Sequence, residues 1–160
     1  MIRTRFAPSP TGFLHIGGLK TALFAYLFAR KNNGSFILRI EDTDQNRYVK
    51  GGMEQIIWSL KWANINYDEG PDVGGQYGPY IQTQRKDIYQ KFAIELINRG
   101  FAYYCFCSSE RLEELRKYQN EHHLPSKYDR HCLNLSKEEI KKRIENGEKY
   151  VIRMKIPDNE

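Results

Sequence analysis

Apolar positions change their period along this chain, and the changes mark its elements. Ile2 to Ala7 reads as a strand, and Leu19, Leu23, Tyr26 and Leu27 then recur at helical spacing, predicting a helix over 16–31. Asn33-Gly34 is an αL-tolerant pair that ends it. Ser35 to Ile40 is mostly apolar and reads as a buried strand. Strand, crossover helix and strand in this order predict a parallel pair. Met53, Ile56, Ile57 and Leu60 make one face of a second helix over 52–63, a core stripe. A third helix is expected over 86–98 with Ile88, Phe92 and Leu96 inward, closed by Gly100.

The last third has a different texture. Phe101 to Cys107 is strand-like, and a charged helix follows over 109–121, with Leu112 and Leu115 as its apolar positions. Ser136-Lys137-Glu138-Glu139 is a capping-box sequence opening another helix, Gly147 closes it, and Tyr150 to Ile156 alternates as a final strand. The reading is an α/β chain, 1–100 built on a parallel strand–helix–strand unit and 101–160 a smaller α+β part.

Composition narrows the classes. A hydrophobic content of 40% and an aromatic content of 13% suffice for a packed core. The net charge of +5 favours a polyanionic partner without requiring one. Three cysteines, an odd number, argue against a disulfide framework. The apolar run Ala22–Ala29 is too short to span a bilayer, and the N-terminus lacks an apolar signal core, so the expectation is a cytoplasmic protein without membrane partners.

Candidate chemistry gathers at the turn from the first strand to the first helix, Phe6-Ala7-Pro8-Ser9-Pro10-Thr11-Gly12-Phe13-Leu14-His15-Ile16-Gly17-Gly18. Helix N-termini favour anions, and glycines let a flat ring or phosphate approach the backbone. His15 can donate to a phosphate oxygen or simply cap the helix. Ligands of parallel sheets bind beyond the carboxyl ends of the strands, which puts Ser9 and His15 beside Glu41 and Asp42. Glu41-Asp42-Thr43-Asp44 reads either as a solvated turn or as carboxylates for an ammonium or metal, and Arg5 can meet an anionic group. Arg39 fits a structural ion pair equally well. The loop from Tyr67 to Tyr80 is rich in glycine and proline and long enough to be functional or mobile. Cys105-x-Cys107 with a distant Cys132 fits either a zinc site or three reduced thiols, with His131 available as a fourth ligand.

Taken in order, the opening stretch, Arg39-Ile40-Glu41-Asp42-Thr43-Asp44 and Gly70-Pro71-Asp72-Val73-Gly74-Gly75 closely resemble bacterial glutamyl-tRNA synthetases. His15-Ile16-Gly17-Gly18 resembles the first class I signature, His-Ile-Gly-His, departing at Gly18 as the bacterial glutamyl branch does. The resemblance implies the first half of a class I Rossmann-like catalytic domain followed by an incomplete zinc-bearing insertion that holds the tRNA acceptor stem. It implies a glutamate–tRNA ligase, using ATP with Mg2+ to activate glutamate for transfer to tRNA(Glu), working as a monomer. His15 would stabilise phosphate charge, with His15, Gly17 and Gly18 at the ATP. Arg5, Ala7, Ser9 and Glu41 would line the glutamate pocket, Glu41 on the α-ammonium. The resemblance also selects Cys105, Cys107, Tyr128 and Cys132 as zinc ligands, because some members have a tyrosine followed four positions later by cysteine. Asn134 falls where other members place a histidine.

The second class I signature, Lys-Met-Ser-Lys-Ser, is not found, and Met154-Lys155-Ile156 is not it. The expectation is a fragment that does not charge tRNA alone. Two alternatives stand beside this reading: a glutamyl-queuosine tRNA(Asp) synthetase, which shares the first signature and the cysteine pattern, and a non-catalytic zinc and RNA-binding module. The loop from Gly70 to Tyr80 favours the full-length enzyme's pattern over the first of these.

Overall fold

The computed structural model describes residues 1–157. Four strands and five α-helices follow one another as β1 (Arg3–Phe6), α1 (Ile16–Lys31), β2 (Ser35–Leu38), α2 (Gly52–Trp62), α3 (Lys86–Asn98), β3 (Ala102–Cys105), α4 (Ser109–Glu121), α5 (Lys137–Glu145) and β4 (Val151–Met154). They form two compact units, residues 1–88 and the chain from Tyr89 onward.

In the first unit β1 and β2 pair in parallel, with Arg3 opposite Ser35 and Phe6 opposite Leu38. Single bridges add Glu69 beside Ile37 and Ile81 beside Ile40, so four chain segments run together. Phe36, Leu38, Ile40, Ile56 and Leu60 are fully buried around this sheet, and Met53 and Ile57 pack against them as the α2 stripe requires.

Helix α1 corrects the expected stripe. Its buried residues are Ala22 and Ala29, with Leu19, Ala25 and Tyr26 packed against the core, while Leu23 and Leu27 are exposed together with Phe24 and Phe28. The helix is apolar nearly all round, so periodicity could not choose its inner face. Close approach to the sheet selects alanine. In α3 the expected inward Phe92 is exposed, and Ile88 and Leu96 are only half-buried.

All five helices end the same way: an αL residue (Asn33, Asn64, Gly100, His123, Gly147) is followed by a residue whose N–H returns to a carbonyl one turn inside the helix. In α1 these bonds are Asn33 N–H to Arg30 O at 3.2 Å and Gly34 N–H to Ala29 O at 2.8 Å, a Schellman motif. Gly34 then enters β2 against β1, where an added Cβ would lie 2.3 Å from the Ile2 carbonyl oxygen.

The loop from Tyr67 to Tyr80 is tied down rather than loose. Gly70 and Gly74 exchange backbone hydrogen bonds, Tyr67 donates to Asp72 at 2.6 Å, and Lys61 reaches Asp72 at 2.9 Å. Its ends are held by Glu69, which is buried, pairs with Arg3 at 2.6 Å and accepts from the Tyr80 hydroxyl. Arg30 forks onto Asp68 with bonds of 2.7 and 3.1 Å, and Asp68 also accepts from the Phe36 N–H at 2.7 Å. This fastens the end of α1 and the start of β2 to the loop.

In the second unit β3 and β4 are antiparallel, Ala102 opposite Met154 and Cys105 opposite Val151. Ser108 and Ser136 cap α4 and α5, their hydroxyls accepting from Arg111 N–H at 3.3 Å and Glu139 N–H at 3.1 Å. β3 and β4 are shorter than the strands expected over 101–107 and 150–156.

Two outcomes follow. Gly34→Ala drives a Cβ into main-chain atoms that cannot rotate away, and should cost about 1–3 kcal/mol in urea unfolding. Unchanged stability would show that β1 and β2 can shift freely. The Arg3 guanidinium, outweighing burial, holds the Glu69 carboxyl below its ordinary value of 4.5. A depressed carboxyl contributes stability that is complete above its unfolded pKa and lost as pH falls through the folded one. Wild type should therefore exceed Glu69→Gln in stability at neutral pH and converge with it in acid. A gap that is the same in both conditions would contradict this.

Candidate active site and metal centre

The β1–β2 ladder does not stop at the strand ends. Arg39 N–H donates to Phe6 O at 3.0 Å, Glu41 N–H to Pro8 O at 2.9 Å and Val49 N–H to Pro10 O at 2.9 Å. This lays Ala7, Pro8 and Ser9 alongside Arg39–Glu41, as the strand-end rule anticipates. Pro10 is fully buried, and the far end of the turn is held where Leu14 N–H donates to Gln55 Oε1 at 2.7 Å. Gln55 itself donates to the buried Ser59 at 2.8 Å. A glutamine within an otherwise apolar helical stripe was the available sign of this anchor. Ser9 is exposed, and Ala7 and Glu41 are half-buried.

His15 is exposed and caps α1: its Nδ1 accepts from the Gly17 N–H at 3.1 Å. In a neutral imidazole one nitrogen accepts and the other donates, so this bond assigns the proton to Nε2. The ring thus offers an outward donor at a helix N-terminus, where the backbone favours negative charge. Gly17 is needed for that pose, since a Cβ there would stand 2.8 Å from the imidazole Cε1. A Cβ on Gly18 would meet the end of Leu14 at 2.6 Å and the Phe6 ring at 3.9 Å.

Arg5 occupies a different surface. It is exposed and lines a cavity of about 270 Å³ with Arg3, Thr4, Ile37, Arg39, Tyr77, Tyr80 and Arg85. Arg3 is paired with Glu69, Arg39 Nε with Glu41 Oε1 at 2.8 Å, and Arg85 donates to the carbonyls of Tyr77 and Pro79 at 3.0 and 2.6 Å. Arg5 has no ion-pair partner among the described residues. Ala7 and Ser9 do not line this cavity; Glu41 reaches it through its bond to Arg39. Arg3, Arg39 and Arg85 were not singled out as site residues. The period-2 spacing of Arg3 and Arg5 on one strand was the available sign that they share a face. Asp42, beyond Glu41, accepts from both the N–H and hydroxyl of Thr83, at 2.9 and 2.6 Å, a structural role.

The second unit brings three sulfurs together. The Sγ atoms of Cys105, Cys107 and Cys132 lie within 4.8 Å of one another, with Cys107 and Cys132 3.6 Å apart. The Tyr128 hydroxyl oxygen is 3.2 Å from the sulfurs of Cys105 and Cys107 and accepts from the Cys132 N–H at 3.1 Å. A tetrahedral zinc with sulfurs at about 2.3 Å spaces them about 3.8 Å apart, so the cluster is the right size and donor type. β3 ends at Cys105, and Cys107 stands just before the Ser108 cap, at the positive end of α4. His131 is exposed and outside the cluster.

Burial alone would raise the Cys105 thiol, but hydrogen bonding to Tyr128 and Arg153 outweighs it and brings the pKa down to about 7. Burial pushes the Cys107 thiol up, and burial with bonding to the cysteines does the same to the Tyr128 phenol. In the metal-free cluster Cys105 thus ionises before Cys107 and Tyr128.

Comparison with known proteins agrees with this geometry. A family model described as tRNA synthetases class I (E and Q), catalytic domain, matches residues 1–160. A glutamate–tRNA ligase of Clostridium botulinum is 56% identical over 156 residues, covering 98% of this chain and 32% of that protein. Glutamate–tRNA ligase 2 of Caldicellulosiruptor saccharolyticus is 55% identical over 159 residues, 99% of this chain and 33% of its own length. A crystal structure of a glutamate tRNA ligase from Elizabethkingia meningosepticum in complex with its amino acid superposes with a TM-score of 0.89 at 44% identity, over 98% of this chain and 32% of that one. The chain spans about a third of the length of these relatives. With a strand-to-helix turn capped by His15, a carboxylate-bearing second strand end and a match along its whole length, the chain belongs to the catalytic domain of the class I tRNA synthetases for glutamate and glutamine.

Proposed function

We propose that this chain supplies the ATP and amino-acid subsites of a glutamate–tRNA ligase, in which the glutamate carboxylate attacks the α-phosphorus of ATP and the glutamyl group then passes to tRNA(Glu). The observation that carries the reading is Arg5: in a cavity where Arg3 and Arg39 already have carboxylates, its guanidinium has none. A dicarboxylic amino acid supplies the missing anion, and glutamine does not do so with its side chain.

In this reading the other residues have distinct tasks. Glu41 takes the α-ammonium through the oxygen that Arg39 leaves, and Ala7 and Ser9 line the turn that the extended ladder holds beside it. His15 donates from Nε2 to phosphate oxygens as charge builds on them, and Gly17 and Gly18 let the nucleotide approach the start of α1. No covalent enzyme intermediate is required, so the chain positions reactants and stabilises charge. Mg2+ enters with ATP as part of the substrate. The reading takes 1–100 as catalytic and 101–160 as the acceptor-stem part, in a monomer of the cytoplasm. Among the described residues no helix is long and apolar enough to cross a membrane.

Cys105, Cys107, Cys132 and Tyr128 would hold a structural Zn2+, a redox-inert cross-link between the end of β3 and the loop before α5. Purified chain should carry about one zinc. Zinc at a hundredfold excess over its Kd should raise stability by about 2.7 kcal/mol, seen as a higher melting temperature. Cys132→Ser should abolish the rise. A melting temperature indifferent to zinc and chelator would refute the assignment.

The catalytic reading is tested by a chimera in which this chain replaces the matching segment of the Clostridium botulinum relative. Charging of tRNA(Glu) with labelled glutamate should be retained. His15→Ala should lower it about 10²–10³-fold, as loss of a donor to developing charge does. Gly17→Ala should also lower it, by displacing the His15 ring. Folded chimera that charges no tRNA, or that prefers glutamine, would overturn the proposal.

A further inference from the structure

The thiol cluster has two arginine neighbours that no family motif points to. Arg111, on the first turn of α4, donates to Cys107 Sγ at 3.5 Å and forks onto Asp129 with bonds of 3.3 and 2.5 Å. Arg153, on β4, sits with its guanidinium carbon 4.0 Å from the centroid of the Tyr128 ring. It neighbours the Cys105 sulfur as well. Its Nε is buried and has no hydrogen-bond partner among the described residues. A buried donor without a partner is costly, and it belongs to the guanidinium that lies over the Tyr128 ring.

The charge balance of the cluster explains why cations should stand here. Three thiolates outweigh a divalent ion by one charge, and a phenolate would add a second. Crowding that anion into a half-buried site is unfavourable unless compensating charge is fixed nearby. Arg111 touches Cys107, and Arg153 faces both Tyr128 and Cys105, so the two together reach three of the four donors. Asp129 fixes the plane of Arg111, and the indirect chain from Asp129 through Arg111 to Cys107 is the arrangement by which outer groups orient metal ligands.

We propose that Arg111 and Arg153 are positioning residues of the metal centre, whose fixed positive charge and hydrogen bonds let the cysteines and Tyr128 hold a thiophilic divalent ion. The inference rests on the zinc reading above and goes beyond it by assigning part of the affinity to residues that do not touch the metal.

The test uses the 160-residue chain with Arg153→Met, Arg153→Lys and Arg111→Met. Zn2+ affinity is measured by competition with a chromogenic chelator, and the coordination environment by the thiolate charge-transfer band of the Co2+-loaded chain. Each methionine variant should bind Zn2+ about 10–100-fold more weakly, the usual scale for lost outer partners. Arg153→Lys, which keeps the charge, should recover much of that loss, and the metal-free melting temperatures should stay close to wild type. A purely structural arginine would instead lower the metal-free melting temperature and leave charge without effect. If Arg153→Met does not fold, the more exposed Arg111→Met carries the test. Methionine variants that bind Zn2+ as tightly as wild type overturn the inference and leave the zinc site standing. Wild-type chain that takes up neither Zn2+ nor Co2+ overturns both.

Discussion

The first unit depends on a parallel ladder that outlasts its strands. β1 and β2 are only four residues each, too short to organise a site by themselves. Their pairing persists through Arg39, Glu41 and Val49, whose N–H groups donate to Phe6, Pro8 and Pro10. The two prolines in the turn supply carbonyls but no competing N–H donors, so the turn accepts from the neighbouring segment at each step. Ile40 in turn donates to Tyr80 O, and Gln82 to Ile40 O, at 2.9 Å each, which adds the segment after the loop. Side chains from four separate stretches of sequence thereby reach one edge, and none of them needs a long strand to get there.

That construction explains what could be read from the sequence and what could not. The turn, its two flanking strands and the parallel pairing follow from local pattern: strand period, helical period, then strand period again. The helix ends were equally legible, because Asn33, Gly100 and Gly147 are residues that tolerate the αL conformation. Helix α1 defeated the same logic because Leu23, Phe24, Leu27 and Phe28 lie outside the stripe that the sheet admits. Sequence period records where apolar residues are, whereas a closely packed interface selects for size. Phe92 was misplaced on similar grounds: an apolar residue at helical spacing is evidence of burial only if something stands opposite it.

The site divides along the same line. Ser9, His15, Gly17 and Glu41 lie in contiguous motifs, and the geometry brings Ser9 and Glu41 side by side while seating His15 as a cap. What the sequence could not supply is pairing across distance. Arg3 with Glu69, Arg39 with Glu41 and Arg30 with Asp68 are separated by anything from two to sixty-six positions. Only once those pairs are drawn, with Arg85 held by the carbonyls of Tyr77 and Pro79, does Arg5 stand apart in its cavity. Charge counting along the chain gives the surplus; three-dimensional pairing says where the surplus sits.

The two units use arginine in opposite senses, and on the proposed reading the contrast follows from what each attracts. In the cavity beside β1, Arg3 and Arg39 are paired with the protein's own carboxylates and Arg85 donates to carbonyls, so Arg5 is the guanidinium that the proposed reading gives to the substrate. A diffuse patch would hold an anion in many poses; one unpaired fork among paired ones fixes where the anion sits. At the thiol cluster the anions come first, from sulfurs close enough to repel each other when ionised, and Arg111 and Arg153 stand where that repulsion must be offset. On the proposed zinc reading the metal and the guanidiniums would act on the same excess charge, so weakening either would shift load onto the other. On that reading a cluster of three cysteines and a tyrosine is incomplete as a description of the proposed centre until its cationic neighbours are included.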